Sequence, residues 1–241
     1  MVQSKGVRAV SVKRRIFTRQ RRKRAVRRTL VAVVLGSALL FGFMPREAAP
    51  AVYPMLFGTK EIRSTDLRPF PKWTGLLDRY FKERDLPDGK CDSVKFNKCH
   101  LDEWKALLAK IESEPKKRQI ELINRQMNAA PYITDIRNYG VDDYWATPKQ
   151  FLYRDGDCED YAIVKYMSLR ALGFTPDDMR LVVLQDNNLR IAHAVLVTYI
   201  DGTAFVLDNQ IKQLVEHSRI RHYSPYYSIN QTAWWLHKKA K

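Results

Sequence analysis

AHAVLVTYIDGTAFVLDN, residues 192–209, holds two β-rich runs joined by Asp201-Gly202. Branched and aromatic side chains fill both runs, and Asp-Gly between such runs is the strongest short signal for a two-residue hairpin turn. In that turn Ile200 faces Thr203, and stepping outward along the ladder Val195 faces Asp208. His193 lies two residues from Val195 on the same face. His193 and Asp208 are therefore diagonal neighbours, with Cα atoms about 7–8 Å apart and side chains within reach. A slip of one residue would send them to opposite faces. The rest of that face, Val195, Val197 and Tyr199, is apolar and predicts a covering helix, for which the helix that begins at Cys158 is the natural choice.

Upstream of the hairpin the hydrophobic period changes. Trp73, Leu76, Leu77 and Tyr80 share one helical face, as do Leu101, Trp104, Leu107, Leu108 and Ile111. Ile120, Ile123 and Met127 form a third stripe that stops at Pro131. DYAIVKYMSLRALG (160–173) is apolar nearly all round and closes at Gly173, which predicts a helix buried on most sides. RLVVL (180–184) reads as a short buried strand. Helices, one central helix and then an antiparallel sheet predict an α+β domain.

The chain has 241 residues, and an apolar fraction of 45% excludes wholesale disorder. Its net charge of +16 suggests nucleic acid until the charges are located. Residues 1–28 carry twelve Lys and Arg and no acid, which leaves only +4 for everything after them. TLVAVVLGSALLFGFM (29–44) follows, uncharged, and then the small residues of EAAPA (47–51). A basic region, an apolar run and small residues in that order make an export signal. A nucleic-acid arm would leave the apolar run unexplained. Residues 1–49 are therefore expected to be a signal peptide or signal anchor, with one domain over 50–241 in the periplasm. Retention as an inner-membrane anchor stays open, because Ala49-Pro50-Ala51 is an imperfect cleavage site.

Export changes the meaning of the three cysteines. Cys91 and Cys99 close a small loop, which in an oxidising compartment favours a disulfide. Cys158 is left over, in GDCEDYAIVKYM (156–167). A helix N-terminus favours its thiolate, while Asp157, Glu159 and Asp160 oppose it by like charge. Together with the hairpin pair it makes a nucleophile, a base and an orienter: Cys158, His193 and Asp208. Each alone reads as an ordinary core Cys, strand His or turn Asp; three in consistent positions favour catalysis.

GVDDYWATPKQFLYRDGDCEDYAIVKYMSLRALGF (140–174), AHAVLVTY and FVLDN resemble the bacterial transglutaminase-like cysteine peptidases of the LapG type. The resemblance extends from Leu56 to His237, with Ala194 and Gln210 standing where the family pattern carries larger, more apolar residues. It implies a papain/transglutaminase-like fold and catalytic roles for Cys158, His193 and Asp208. It also implies a Ca²⁺ cofactor held by the acids beside the nucleophile, Asp157 and Glu159 with Asp160 as a third, and hard oxygen ligands suit that ion. The implied substrate is a large cell-surface adhesin cut near its N-terminus, which releases cells from a biofilm. The implied partner is an inner-membrane cyclic-di-GMP receptor. An acyltransferase of transglutaminase type and a non-catalytic binding domain with a relic triad are the alternative classes.

If the export reading holds, mass spectrometry of non-reduced, alkylated protein should find Cys91 and Cys99 joined and neither alkylated. Free thiols at both positions would refute the pairing and weaken the case for an oxidising compartment.

Overall fold

The computed structural model describes residues 53–84 and 99–240. The expected signal over 1–49 and the expected Cys91–Cys99 bond lie outside what is described. Among the described residues no helix is long and apolar enough to cross a membrane.

The helical stripes become helices packed on a single core. Helix α1 (Pro71–Glu83) opens on a proline, whose fixed φ and missing N–H suit a first turn, and it buries Trp73 and Leu76. Helix α2 spans Cys99–Ile111, and α3 (Lys116–Met127) buries Ile120, Ile123 and Met127. A short α4 (Asp135–Asn138) precedes α5 (Pro148–Arg154), which is opened by a reciprocal cap between Thr147 and Gln150. Helix α6 (Cys158–Ala171) is buried from Asp160 through Leu169, and the chain leaves it through Gly173 at φ +86°.

Seven strands form one antiparallel sheet: β1 (Thr59–Ser64), β2 (Met179–Asp186), β3 (Ile191–Ile200), β4 (Thr203–Leu207), β5 (Val215–Glu216), β6 (Tyr223–Ile229) and β7 (Trp234–Lys239). Their order is β1-β7-β6-β2-β3-β4-β5. The hairpin register is the expected one: Ile200 pairs with Thr203 and Leu196 with Leu207. Asp201 and Gly202 take φ of +49° and +76°, as a tight primed turn requires.

The covering of the sheet corrects the sequence reading. Helix α6 packs against the face carrying Leu181, Leu196, Leu207 and Ile229, together with residues of α1, α2, α3 and α5. The face carrying Val195, Val197 and Tyr199 belongs to a second core, closed by Leu56, Ile220 and Tyr223. Alternation could not decide between the faces, because β3 is buried continuously from His193 to Tyr199 and is apolar on both sides. Strand β2 is also longer than RLVVL, and β1, β5, β6 and β7 are additional. TKEIRS in β1 lacks an apolar alternation, and β6 carries Pro225 and a register shift opposite Val183 and Leu184.

Lys165 is the unusual member of the core. It is 0% exposed on α6, and its Nζ lacks a hydrogen-bond partner and stands 5.7 Å from the centre of the Tyr161 ring. Burial lowers its pKa from 10.5 to about 7, against the opposing pull of the Asp208 charge. Between those values the unfolded chain binds the proton and the folded chain does not, so this group makes stability rise with pH from about 7 upward. Lys165→Met should therefore be more stable than the wild type at pH 7 and should gain less between pH 7 and pH 9 in urea unfolding. An identical gain in the two proteins would rule out Lys165 as its source.

Candidate active site

Cys158 is the first residue of α6, and the turn before it is built around a carboxylate. Asp160 accepts the Ala146 N–H at 2.7 Å with Oδ1 and the Asp157 N–H at 3.4 Å with Oδ2. A Cβ on residue 156 would collide with that carboxylate, so the position admits only glycine. Asp157 is the N-cap of the helix. Beside the turn, Ile133 donates its N–H to the Gly156 carbonyl at 2.9 Å and Tyr132 bridges to Gly156 in parallel.

Strand β4 ends at Leu207, so the edge of β3 beyond Leu196 is open on that side. The start of α6 meets that edge, and the Ala194 N–H acts on the Cys158 sulfur, favouring its thiolate. His193, the adjacent residue, is buried, and its Nε2 lies 3.0 Å from Asp208 Oδ1. Gln210 donates its N–H to the same oxygen at 2.8 Å, and the Tyr223 hydroxyl donates to Oδ2 at 2.5 Å. Burial pushes the Asp208 carboxyl up, but the hydrogen bond and charge of His193, with Tyr223 and Gln210, hold it below its usual range. Asn128, just after α3, fixes the Asp208 carbonyl at 2.7 Å. Because Asp208 engages Nε2, Nδ1 is the ring nitrogen left for a reacting group. The predicted hairpin pair is thus in contact, and the residue next to His193 acts on the predicted cysteine through its N–H.

The thiol itself donates to Glu159 Oε2 at 3.1 Å. Burial, then the charge and hydrogen bond of Glu159, then Asp157, drive its pKa far up, and the Ala194 N–H opposes them only in part. The acids are in the same difficulty. Burial raises the pKa of Asp157, pushes Glu159 up to about 8 and Asp160 well above its usual value, and Asp135 is pushed up to about 6.

Among the described residues, three sets of side chains bring possible ligand atoms within 4.8 Å of one another: Asp157, Cys158 and Glu159; Asp135, Asp143 and Glu159; Asp135, Asp157 and Asp160. Asp135 and Asp157 hold each other, the Asp135 N–H donating to Asp157 Oδ2 at 3.3 Å. Asp135 Oδ2 accepts the Tyr144 N–H. The Oδ1 atoms of Asp135 and Asp157 are both buried without a partner. Two orphaned carboxylate oxygens beside further acids fit a hard divalent cation such as Ca²⁺. Asp160 already gives both oxygens to backbone N–H groups and serves the turn first. Asp135 and Asp143 were missed from sequence. Asp142-Asp143 was a visible acidic pair, whereas nothing in ITDIRN marks Asp135 as buried.

An antiparallel sheet carrying helices on one face, with a cysteine opening the most buried helix, is the architecture of a cysteine peptidase class. The chain belongs to the bacterial transglutaminase-like cysteine proteinases, whose family model matches residues 91–239. It is of the LapG type within them: LapG from Legionella pneumophila is 32% identical over 58% of this chain and 78% of that one, with a TM-score of 0.53. The calcium-bound structure of the same Legionella protein is 28% identical, covers 68% of this chain and 86% of that one, and has a TM-score of 0.54. Its EGTA-treated structure is 33% identical over 58% and 77%, with a TM-score of 0.54. Comparison with curated proteins gives no match.

The charge balance around the thiol has a direct readout. In metal-free protein at pH 8, iodoacetamide should alkylate Cys158 more slowly than it alkylates free cysteine. Glu159→Gln should speed the reaction, because it removes a neighbouring negative charge. Alkylation faster than free cysteine without metal would contradict this balance.

Proposed function

We propose that this cysteine peptidase is an exported, calcium-dependent endopeptidase that cuts a large surface adhesin near its N-terminus and so ends attachment in a biofilm. The observation that carries the reading is the His193–Asp208 contact at the open edge of β3, where the neighbouring Ala194 N–H acts on the Cys158 sulfur. Cys158 is the nucleophile. His193 removes its proton through Nδ1, and the thiolate adds to the scissile carbonyl. The same imidazolium then protonates the leaving amine, and water, deprotonated by His193, releases the acyl group. Asp208, through Nε2, fixes the tautomer and stabilises the charged ring.

Asp157 and Glu159, with Asp135 and Asp143, are the residues that would hold Ca²⁺, and Asp160 supports them from the turn. Bound there, a divalent charge offsets the acids that otherwise keep Cys158 as a thiol. The calcium-bound state of the Legionella relative supports this reading. The basic region and apolar run of residues 1–49 support export to the periplasm as a signal or an anchor. The likeness to LapG motivates the adhesin substrate and an inner-membrane cyclic-di-GMP receptor as regulator.

Cleavage of a purified adhesin N-terminal fragment tests this directly. Cys158→Ala should abolish cleavage with the thermal midpoint nearly unchanged. EGTA should stop the wild-type protein, Ca²⁺ should restore it, and Mg²⁺ should do so poorly because it demands a strict octahedron and keeps its waters. Full cleavage in excess EGTA, with no metal in the protein, would reduce the acids to helix caps.

A further inference from the structure

We propose that the Tyr132 hydroxyl is the second oxyanion donor of this site, acting with the Cys158 backbone N–H on the oxygen of the tetrahedral intermediate. The proposal rests on Cys158 being the nucleophile. When a thiolate adds to a carbonyl, the oxygen takes up the negative charge and needs donors about 2.7–3.1 Å from where it comes to lie. The N–H of a residue in a first helical turn is one such donor, because it has no partner within the helix. The second must be a side chain close to that N–H.

Tyr132 meets that demand. The Cys158 N–H faces the Tyr132 phenol oxygen closely enough to favour its ionised form, so a substrate carbonyl that accepts from that N–H comes to lie against the hydroxyl. A hydroxyl both accepts and donates. A small shift of the ring lets it donate to a substrate oxygen that accepts from that N–H. An ordinary phenol, with a pKa of about 10, keeps its proton at neutral pH. Glu159 and Asp157, the acids beside the Cys158 thiol, are acceptors when ionised.

The backbone of Tyr132 is fixed while its ring is free to yield. Its bridge to Gly156 and the Ile133 N–H to Gly156 bond tie it to the turn that carries Cys158. Its ring stacks on Tyr161, with centroids 6.4 Å apart and planes 12° from parallel, and the Tyr161 hydroxyl is itself held by the Ala130 carbonyl. Yet Tyr132 is 54% exposed, so its ring can shift without opening the core.

Tyr132→Phe keeps the ring and removes only the hydroxyl. In the calcium-supplied protein, kcat should fall about 100- to 1,000-fold with KM little changed. A peptide aldehyde, which forms a tetrahedral adduct with the thiol, should bind more weakly by a similar factor. Iodoacetamide alkylation of Cys158 forms no oxyanion and should keep its rate, which also controls for the folded fraction. Unchanged kcat and aldehyde affinity would overturn the proposal, and so would a rise in kcat, since the hydroxyl would then be only a plug. Failure of iodoacetamide to label Cys158 in either protein would instead strike at the nucleophile and bring down the parent reading with it.

Discussion

The hydrogen bond between His193 and Asp208 depends on a strand that stops early. Were β4 to continue past Leu207, its backbone would occupy the edge of β3, and the Ala194 N–H would be spent on the ladder. Because it stops, Asp208 is free to turn its carboxylate to His193 and Tyr223 while Asn128 holds its carbonyl. The vacated edge admits the first turn of α6, and the Ala194 N–H that a strand would have taken acts on the Cys158 sulfur instead. The contact thus draws on β3, the end of β4, β6 and the residue after α3. It is buried, and every oxygen of Asp208 is engaged, so the charge is tolerated where an unpaired one would be costly.

A second constraint acts at the other end of the thiol. The carboxylates of Asp135, Asp157, Glu159 and Asp160 lie close together in a partly buried site, and their pKa values are all raised. The acids do different work. Asp160 serves the backbone, and its carboxylate fills the space that a side chain on residue 156 would need. Asp157 caps α6 and reaches to Asp135, while Glu159 holds the thiol proton. Capping alone explains Asp157 and Asp160, but not Glu159 or the bare oxygens of Asp135 and Asp157. Those residual groups are what make a cation the natural completion of the site.

The sequence determined whatever rests on local periodicity and turn chemistry. Three amphipathic stripes became α1, α2 and α3, and Asp201-Gly202 set a register that put His193 against Asp208. A strand has period two, so a turn of known length fixes every facing pair beyond it. The resemblance of GDCEDYA, AHAVL and VLDN to a known family added the class of chemistry. Only the tertiary structure decided which face of β3 receives α6, since a strand apolar on both faces offers no polar side to choose by. It alone brought Asp135, Asp143 and Tyr132 to Cys158, because they lie on segments whose own patterns carry no trace of that neighbour. It alone also placed β1 and β7 beyond β6 at one end of the sheet. Strand pairing between distant segments follows from which surfaces the core must close, and no local window of sequence contains that information.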